Sequence, residues 1–365
     1  MMQQNKILGW DIGGAHLKAA VLDQTGMVLG VYQAPCPLWE GLEQLRIATL
    51  AILKQVGDDD YRHVLTMTGE LVDLFDDRYT GVKQIILTIL ELLPQDACLF
   101  YAGSAGFLKA EQVDETNYLA IASANWLASA SFVAQTLGSG LFVDIGSTTT
   151  DILLLQNGQV QAQGYTDYQR LISQELIYTG IVRTSVMALA QTAVDQGQVI
   201  GLMAEYFATM ADVYRVTEEL SEQHDQTETA DGAEKSILAS ARRLSRMIGS
   251  DFEPEELPRW RVFADHIRAQ QVQKLQLACE YRLKSYSDSK IDYFIGAGIG
   301  RFLVKELAEN LGYRYLDFAD LFERESNLLQ QELETTGYSV ADCAPAVAVA
   351  YLSGALFPND VKILK

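Results

Sequence analysis

The stretch Trp10-Asp-Ile-Gly-Gly-Ala-His-Leu-Lys18-Ala-Ala-Val-Leu-Asp-Gln-Thr-Gly26 returns in altered form as Val143-Asp-Ile-Gly-Ser-Thr-Thr-Thr-Asp151-Ile-Leu-Leu-Leu-Gln-Asn-Gly158. Each copy runs Asp-Ile-Gly, then four residues, then an apolar run that closes on a glycine turn. Lys18 and Asp151 hold the same offset, seven residues after Asp11 and Asp144. The second run ends on Asn157-Gly158, a dipeptide that favours the tight turn matching strand twist. Both copies read as β-hairpins whose first turn is built from small residues. Repetition of so specific a unit predicts an α/β chain with two related lobes.

Other segments fall into place around the pair. Tyr293-Phe-Ile-Gly296-Ala-Gly298-Ile-Gly300-Arg-Phe-Leu-Val-Lys-Glu-Leu reads as a short strand, a glycine turn and an amphipathic helix. Residues 118–137 and 344–356 are rich in alanine, and Pro345 suits a helix's first turn. Small side chains let two helix backbones approach closely, which fits a pair of crossing helices at a hinge. Ordinary core helices of high propensity give the same composition. Between the second hairpin and the glycine cluster, residues 170–290 read as mostly helical. Their polar interruption, residues 221–232, is either a surface loop or a segment that carries Asp225, Thr229 and Asp231 towards a site.

A chain of 365 residues exceeds one simple core and fits two domains or one duplicated fold. The boundaries expected are residues 1–138 with 340–365 for the first lobe and 139–339 for the second. The longest apolar runs, such as residues 85–93, fall well short of the roughly 20 residues of a membrane-spanning helix. The polar start shows no basic segment followed by an apolar core, so a cytoplasmic protein without membrane contact is expected. The cysteines Cys36, Cys98, Cys279 and Cys343 are scattered without paired spacing, which argues against disulfides and against zinc. A net charge of −20 disfavours nucleic acid, whose binding rests on Lys and Arg at phosphates. It suits a protein that handles anions through local backbone amides and a divalent cation.

The hairpins supply such devices. Phosphates need donors that come close, and glycine permits this because it lacks a Cβ. Gly13, Gly14 and Gly146 are candidates for presenting amides, with the hydroxyls of Ser147, Thr148 and Thr149 beside them. Mg²⁺ prefers oxygen and commonly shares one or two carboxylates with substrate phosphates. Asp11 and Asp144, each ending an apolar strand, are the candidate metal ligands. Asp151 is placed to orient a water or accept a proton, and Lys18 to contact a phosphate. Turn capping explains one such Asp as well; for the repeated pair, function is the better reading.

In this order the motifs resemble the superfamily of acetate and sugar kinases, heat-shock chaperone ATPases and actin. That resemblance implies a duplicated ribonuclease-H-like fold with a central cleft, hairpins on phosphates and metal, and Gly296 and Gly298 at adenosine. Within the superfamily the chain is similar to the hydantoinase/oxoprolinase-like branch. More narrowly it resembles proteins of tetrahydromethanopterin-linked one-carbon transfer, whose archaeal members act in methanofuran biosynthesis. The residues that carry the narrower likeness are Asp11-Ile-Gly-Gly-Ala, Thr66-Met-Thr-Gly-Glu-Leu71, Ser123-Ala-Asn-Trp126, Tyr178-Thr-Gly-Ile-Val-Arg183-Thr, Ala211-Asp-Val-Tyr-Arg-Val216 and Thr229-Ala-Asp-Gly232.

The reaction implied joins a furanmethyl diphosphate to the phenol oxygen of a γ-glutamyl-tyramine, forming an ether and releasing diphosphate. Glu70 is then a candidate base with Asp151 as its competitor, and a solvated loop carboxylate is the plain alternative for Glu70. Mg²⁺ is the expected cofactor. ATP is admitted but not favoured, because the Gly296-Ala-Gly298 turn is less glycine-dense than a strong adenosine loop. Small-molecule substrates are the expected partners, and a homodimer is admitted. Two other functions stay open at this point: an ATP-dependent small-molecule kinase or amidohydrolase, and a non-catalytic nucleotide-dependent switch.

Overall fold

The computed structural model describes residues 6–284, 291–322 and 337–354. It divides into two compact units. One comprises Met1–Ser139, Leu155–Val160 and Asp317–Lys365, the other Gly140–Leu154 and Gln161–Leu316.

The first unit is built on a mixed sheet of order β3-β2-β1-β4-β5-β6. Its strands are β1 (Lys6–Ile12), β2 (His16–Leu22), β3 (Val28–Pro35), β4 (Tyr61–Met67), β5 (Cys98–Tyr101) and β6 (Phe107–Lys109). The hairpin β1–β2 is antiparallel, with Asp11 opposite Lys18, while β4 runs parallel to β1 and sets Thr66 level with Asp11. Alternation along β1 sorts its two faces. Leu8, Trp10 and Ile12 enter a core with Leu45, Ala48 and Ile52 of helix Leu42–Val56 and Val82, Ile85 and Ile89 of helix Arg78–Leu90. The opposite face receives helix Ala344–Gly354 so closely that a Cβ on Gly9 would lie 2.1 Å from the Ala346 carbonyl oxygen and 2.9 Å from the Ala350 methyl.

The second unit repeats the plan. Its sheet runs β10-β8-β7-β13-β14, and the short β9, which falls in the first unit's segment Leu155–Val160, pairs with the end of β8 at Leu155 and Gln156. The strands are β7 (Gly140–Ile145), β8 (Thr150–Gln156), β9 (Gln159–Val160), β10 (Leu176–Ile177), β13 (Tyr293–Ala297) and β14 (Arg314–Asp317). As in the first unit, an antiparallel strand flanks the hairpin and a parallel strand, here β13, lies against its first strand. The repeated motif led us to expect two related lobes, and the duplicated ribonuclease-H-like order is the one that the resemblance implied. Leu141, Val143 and Ile145 pack with Trp260, Phe263 and Ile267 of helix Leu257–Lys284 and with Leu303, Val304 and Leu307 of helix Arg301–Leu311.

Local signals account for most of the elements. Asn157 and Gly158 both have positive φ, 52° and 79°, the turn that their sequence favours. The third glycine cluster is the strand β13, a turn with Gly298 at φ 77°, and helix Arg301–Leu311. The two alanine-rich segments meet as helices Asn125–Leu137 and Ala344–Gly354, both in the first unit. Ala355, counted in the second of them, lies outside the described residues. The first segment is not one helix: helix Tyr118–Ile121 ends before Ser123, whose φ of 49° breaks the run ahead of Asn125.

Within residues 170–284 the longer helices gather towards the end, at Ile237–Arg246 and Leu257–Lys284. The earlier part, which composition led us to read as mostly helical, forms a hairpin, β11 (Thr192–Asp195) with β12 (Gln198–Gly201), turning at Gln196-Gly197. Among the described residues no helix is long and apolar enough to cross a membrane. The four cysteines are buried free thiols, each pushed up to about 12 chiefly by burial.

Two predictions follow from this packing. In Gly9→Ala the new methyl meets backbone that cannot rotate away, so the cost should reach about 1–3 kcal/mol, read as a lowered thermal midpoint. An unchanged midpoint would show that helix and sheet part freely. Buried His63 accepts the Trp10 indole N–H on Nδ1 at 3.2 Å, and burial pushes its pKa down to about 4. The unfolded chain therefore takes up this proton first, so stability should fall as pH drops from about 6.5 towards 4 and stay flat above. An NMR titration of His63 checks it, since an imidazole half-protonated near pH 6.5 would contradict the burial argument.

Candidate functional site

In the first hairpin the Gly13 amide donates to the His16 carbonyl at 3.0 Å and closes the turn. Neighbouring chain secures the rest: Cys36 N–H bonds the Ala15 carbonyl, Leu38 N–H that of Gly14, and Thr68 N–H that of Ile12. Gly13 thus has its amide inside the turn, and a Cβ on Gly14 would meet a Val72 methyl at 2.7 Å.

Asp11 is buried at the end of β1, and the Asn125 amide donates to its Oδ1 at 3.3 Å. The Asn125 Oδ1 accepts the Trp126 N–H at 2.7 Å, which fixes the side chain with its NH₂ towards Asp11. Level with Asp11 on β4, the fully buried Thr66 hydroxyl has no hydrogen-bond partner among the described residues. Lys18, cross-strand from Asp11, donates to the Asp342 carbonyl at 2.7 Å.

Glu70 sits on a single turn, Gly69–Leu71, and is 1% exposed, so it is not a solvated loop carboxylate. The Ser123 hydroxyl donates to its Oε1 at 2.6 Å. Gly81 of helix Arg78–Leu90 lies against its backbone, where a Cβ would come 2.5 Å from the Glu70 carbonyl oxygen. Ser123 and Asn125, two residues apart, therefore serve Glu70 and Asp11 from one turn.

In the second hairpin the Gly146 amide donates to the Thr149 carbonyl at 2.9 Å, the same closure as at Gly13. Ser147 and Thr148 stand at the tip with their hydroxyl oxygens 3.4 Å apart. Asp144, at the end of β7, is approached by Gly298: a Cβ there would lie 2.3 Å from Asp144 Oδ1, so only glycine fits, and φ 77° requires it as well. Gly296 packs instead on the Tyr315 ring.

Asp151 does not stand beside these groups as an open acid. The buried Arg170 guanidinium donates to its Oδ1 at 2.6 Å. Burial pushes the Asp151 pKa up against the lowering by Arg170. Arg170 also donates to the Glu175 carbonyl, and the Glu175 side chain, fully buried, accepts from Arg282 at 2.9 Å.

The polar interruption is anchored rather than loose. Asp225 accepts from Arg215, and Asp231 from Arg243 and Arg246. Asp212 accepts from Arg243 and Ser240, so two of the sequence motifs meet in one ion-pair network that holds the fold.

Among the described residues no three His, Cys, Asp or Glu side chains gather as a metal cage. The arrangement at Asp11 and Thr66 nevertheless fits a hard cation, since both offer oxygen and Mg²⁺ usually takes few protein ligands. The residues the sequence reading passed over are Ser123 and Asn125, quoted as a motif without roles, together with Arg170, Gly180 and Arg183.

The chain belongs to the hydantoinase/oxoprolinase family, whose model matches residues 62–321. Its relatives include a Methanocaldococcus jannaschii protein, (4-{4-[2-(gamma-L-glutamylamino)ethyl]phenoxymethyl}furan-2-yl)methanamine synthase. The two are 29% identical over 347 residues, covering 95% of this chain and 97% of that one. A Methanococcus vannielii protein of the same name is 33% identical over 123 residues, 33% of this chain and 55% of the relative. Among solved structures, nucleotide-free acetone carboxylase superposes with a TM-score of 0.55 at 11% identity, covering 95% of this chain and 70% of that one. That likeness shows a shared fold.

Removing the Ser123 hydroxyl takes a donor from a buried carboxylate. Ser123→Ala should cost about 1–3 kcal/mol of stability. Ser123→Gly loses the same donor but is at ease at φ 49°, so it should recover about 1 kcal/mol. Thermal unfolding of the two variants side by side reads the difference, and equal midpoints would show that the backbone there carries no strain.

Proposed function

We propose that this protein is a transferase that joins a furanmethyl diphosphate to the phenol oxygen of a tyramine- or tyrosine-type substrate, within the biosynthesis of a methanofuran-type cofactor. The observation that carries the reading is the end-to-end match with the Methanocaldococcus jannaschii synthase, whose printed product contains a phenoxymethyl-furan ether. The two hairpin turns support it, because donor-rich turns beside strand-end carboxylates suit a diphosphate leaving group.

In this reading the phenol loses its proton to a carboxylate, and its oxygen forms a bond to the furan methylene. The bridging C–O bond breaks, and its electron pair leaves with the diphosphate. The electron-rich furan stabilises positive character at that carbon, so positioning and a base supply most of the remaining catalysis. Glu70 is the base we favour, since Arg170 already occupies Asp151. Ser147, Thr148 and Thr149 are the donors we assign to the leaving group, and Lys18 adds positive charge near Asp11. Asp11 with Thr66 would hold Mg²⁺, which would supply charge neutralisation for the diphosphate. ATP has no part in this chemistry; a kinase or ATP-dependent amidohydrolase would need it.

Incubation of the full-length protein with a furanmethyl diphosphate, a tyramine-like phenol and Mg²⁺, without ATP, should release diphosphate and give the ether by mass. Oxygen-18 placed in the bridging position should leave with the diphosphate. Strict ATP dependence, or label kept in the organic product, would sink the proposal. Asp144→Asn should remain folded yet turn over about 10²–10³-fold more slowly, the usual loss when one stabiliser of developing charge is removed.

A further inference from the structure

We propose that Ser123 is a positioning residue: it holds the Glu70 carboxylate in the orientation from which Glu70 takes the phenol proton, a role that rests on the function proposed above.

The first support is where the chain puts Glu70. The Thr68 amide donates to the carbonyl of Ile12, the residue after Asp11, at 2.9 Å. Gly69 then lies so close to the first hairpin that a Cβ on it would fall 3.2 Å from the carbonyl oxygens of both Ile12 and Gly13. The single turn Gly69–Leu71 is therefore laid against the end of β1 that carries Asp11. From helix Arg78–Leu90, Gly81 packs on the same turn, where a Cβ would come 2.9 Å from both the Cα and the Cβ of Glu70. Backbone and Cβ of Glu70 are thus fixed by packing. The torsions beyond Cβ remain to be set, and they decide where the carboxylate points.

The second support is what sets them. The Ser123 hydroxyl donates to Glu70 Oε1 at 2.6 Å, a length in the range of charge-assisted bonds, and both residues are buried. Ser123 belongs to the short turn between helices Tyr118–Ile121 and Asn125–Leu137. Two residues on, Asn125 donates to Asp11 Oδ1 at 3.3 Å, with its own Oδ1 held by the Trp126 amide. Glu70 and Asp11 are therefore linked twice, once through the Thr68–Ile12 backbone bond and once through the side chains of this turn. A base and a cation-binding carboxylate that serve one reaction need their separation fixed in this way.

The third is the backbone of Ser123 itself. Its φ of 49° is strained for a residue with a Cβ and easy for glycine. The turn keeps a side chain where glycine would relieve the strain, and that side chain is spent on Glu70. Strain retained at a residue that orients another is expected where geometry matters more than stability.

The test is the kinetics of ether formation by the full-length protein, with Ser123→Ala and Ser123→Gly compared at a temperature where both are folded. Both lack the hydroxyl, so both should lose kcat by about 10–100-fold with KM for the furanmethyl diphosphate unchanged, even though their thermal midpoints differ. Added to Glu70→Gln, Ser123→Ala should cost no further activity, because the two act as one unit. Near-normal turnover in Ser123→Gly, or losses that multiply in the double variant, would overturn the role and leave the function proposed above intact. Full activity in Glu70→Gln would overturn it too. Failure of the unsubstituted protein to form the ether would overturn both.

Discussion

One backbone hydrogen bond recurs in both halves and the rest of each unit is arranged about it: the amide of the glycine in Asp-Ile-Gly donates to the carbonyl three residues on, from Gly13 to His16 and from Gly146 to Thr149. That bond reverses the chain directly after a carboxylate, so Asp11 and Asp144 end their strands at a fixed position relative to a compact turn. In the first turn a side chain would crowd, since a Cβ on Gly13 would lie 2.9 Å from the His16 carbonyl oxygen, whereas one on Gly146 would meet the Thr149 carbonyl oxygen at an ordinary 3.5 Å. The neighbouring parallel strand then approaches the same point, bringing Thr66 level with Asp11 and Gly298 against Asp144.

Around this shared bond the two copies have diverged in what they satisfy. In the first, chain from elsewhere takes the carbonyls of Ile12, Gly14 and Ala15, and a single turn beyond supplies Ser123 and Asn125 to two buried carboxylates. In the second, segment 179–184 takes the carbonyls of Gly146 and Ser147 and the tip keeps its hydroxyls. The matched offset of Lys18 and Asp151 hides a difference in kind. Lys18 is tied to a backbone carbonyl, whereas Asp151 enters a buried lattice of Arg170, Glu175 and Arg282. Buried guanidinium–carboxylate pairs of that sort add little net stability but are costly to break singly, which ties Asp151 to structure more than to chemistry.

The hairpins and the glycine cluster were legible because their signals are local: a small-residue turn, an Asn-Gly pair and a period-two apolar run each act over a few residues. The second sheet could be anticipated from the first for the same reason. Ser123 was harder to read. It lies inside an alanine-rich run that favours helix, and its φ of 49° accompanies a long-range bond to Glu70 that local composition does not reveal. The hairpin at Gln196-Gly197 was hidden likewise, in a stretch whose composition is otherwise helical. Glu70 could be picked out as a motif residue, but its burial depends on Gly81 of the following helix, a contact that no spacing rule contains.

The excess of acidic residues bears on all of this less than the total suggests. Charges on the surface are screened beyond about 8 Å at physiological ionic strength, so a carboxylate on a distant helix barely opposes an anion at the Gly146 turn. What the Gly146 turn presents is set by groups within a few ångströms, among them carbonyls engaged by segment 179–184 and the hydroxyls of Ser147 and Thr148. Several carboxylates of the second unit are already answered, Asp151 by Arg170, Asp225 by Arg215 and Asp231 by Arg243 and Arg246. An acidic chain can therefore present a site for anions, provided that it neutralises its own acids nearby and leaves donors at the turn.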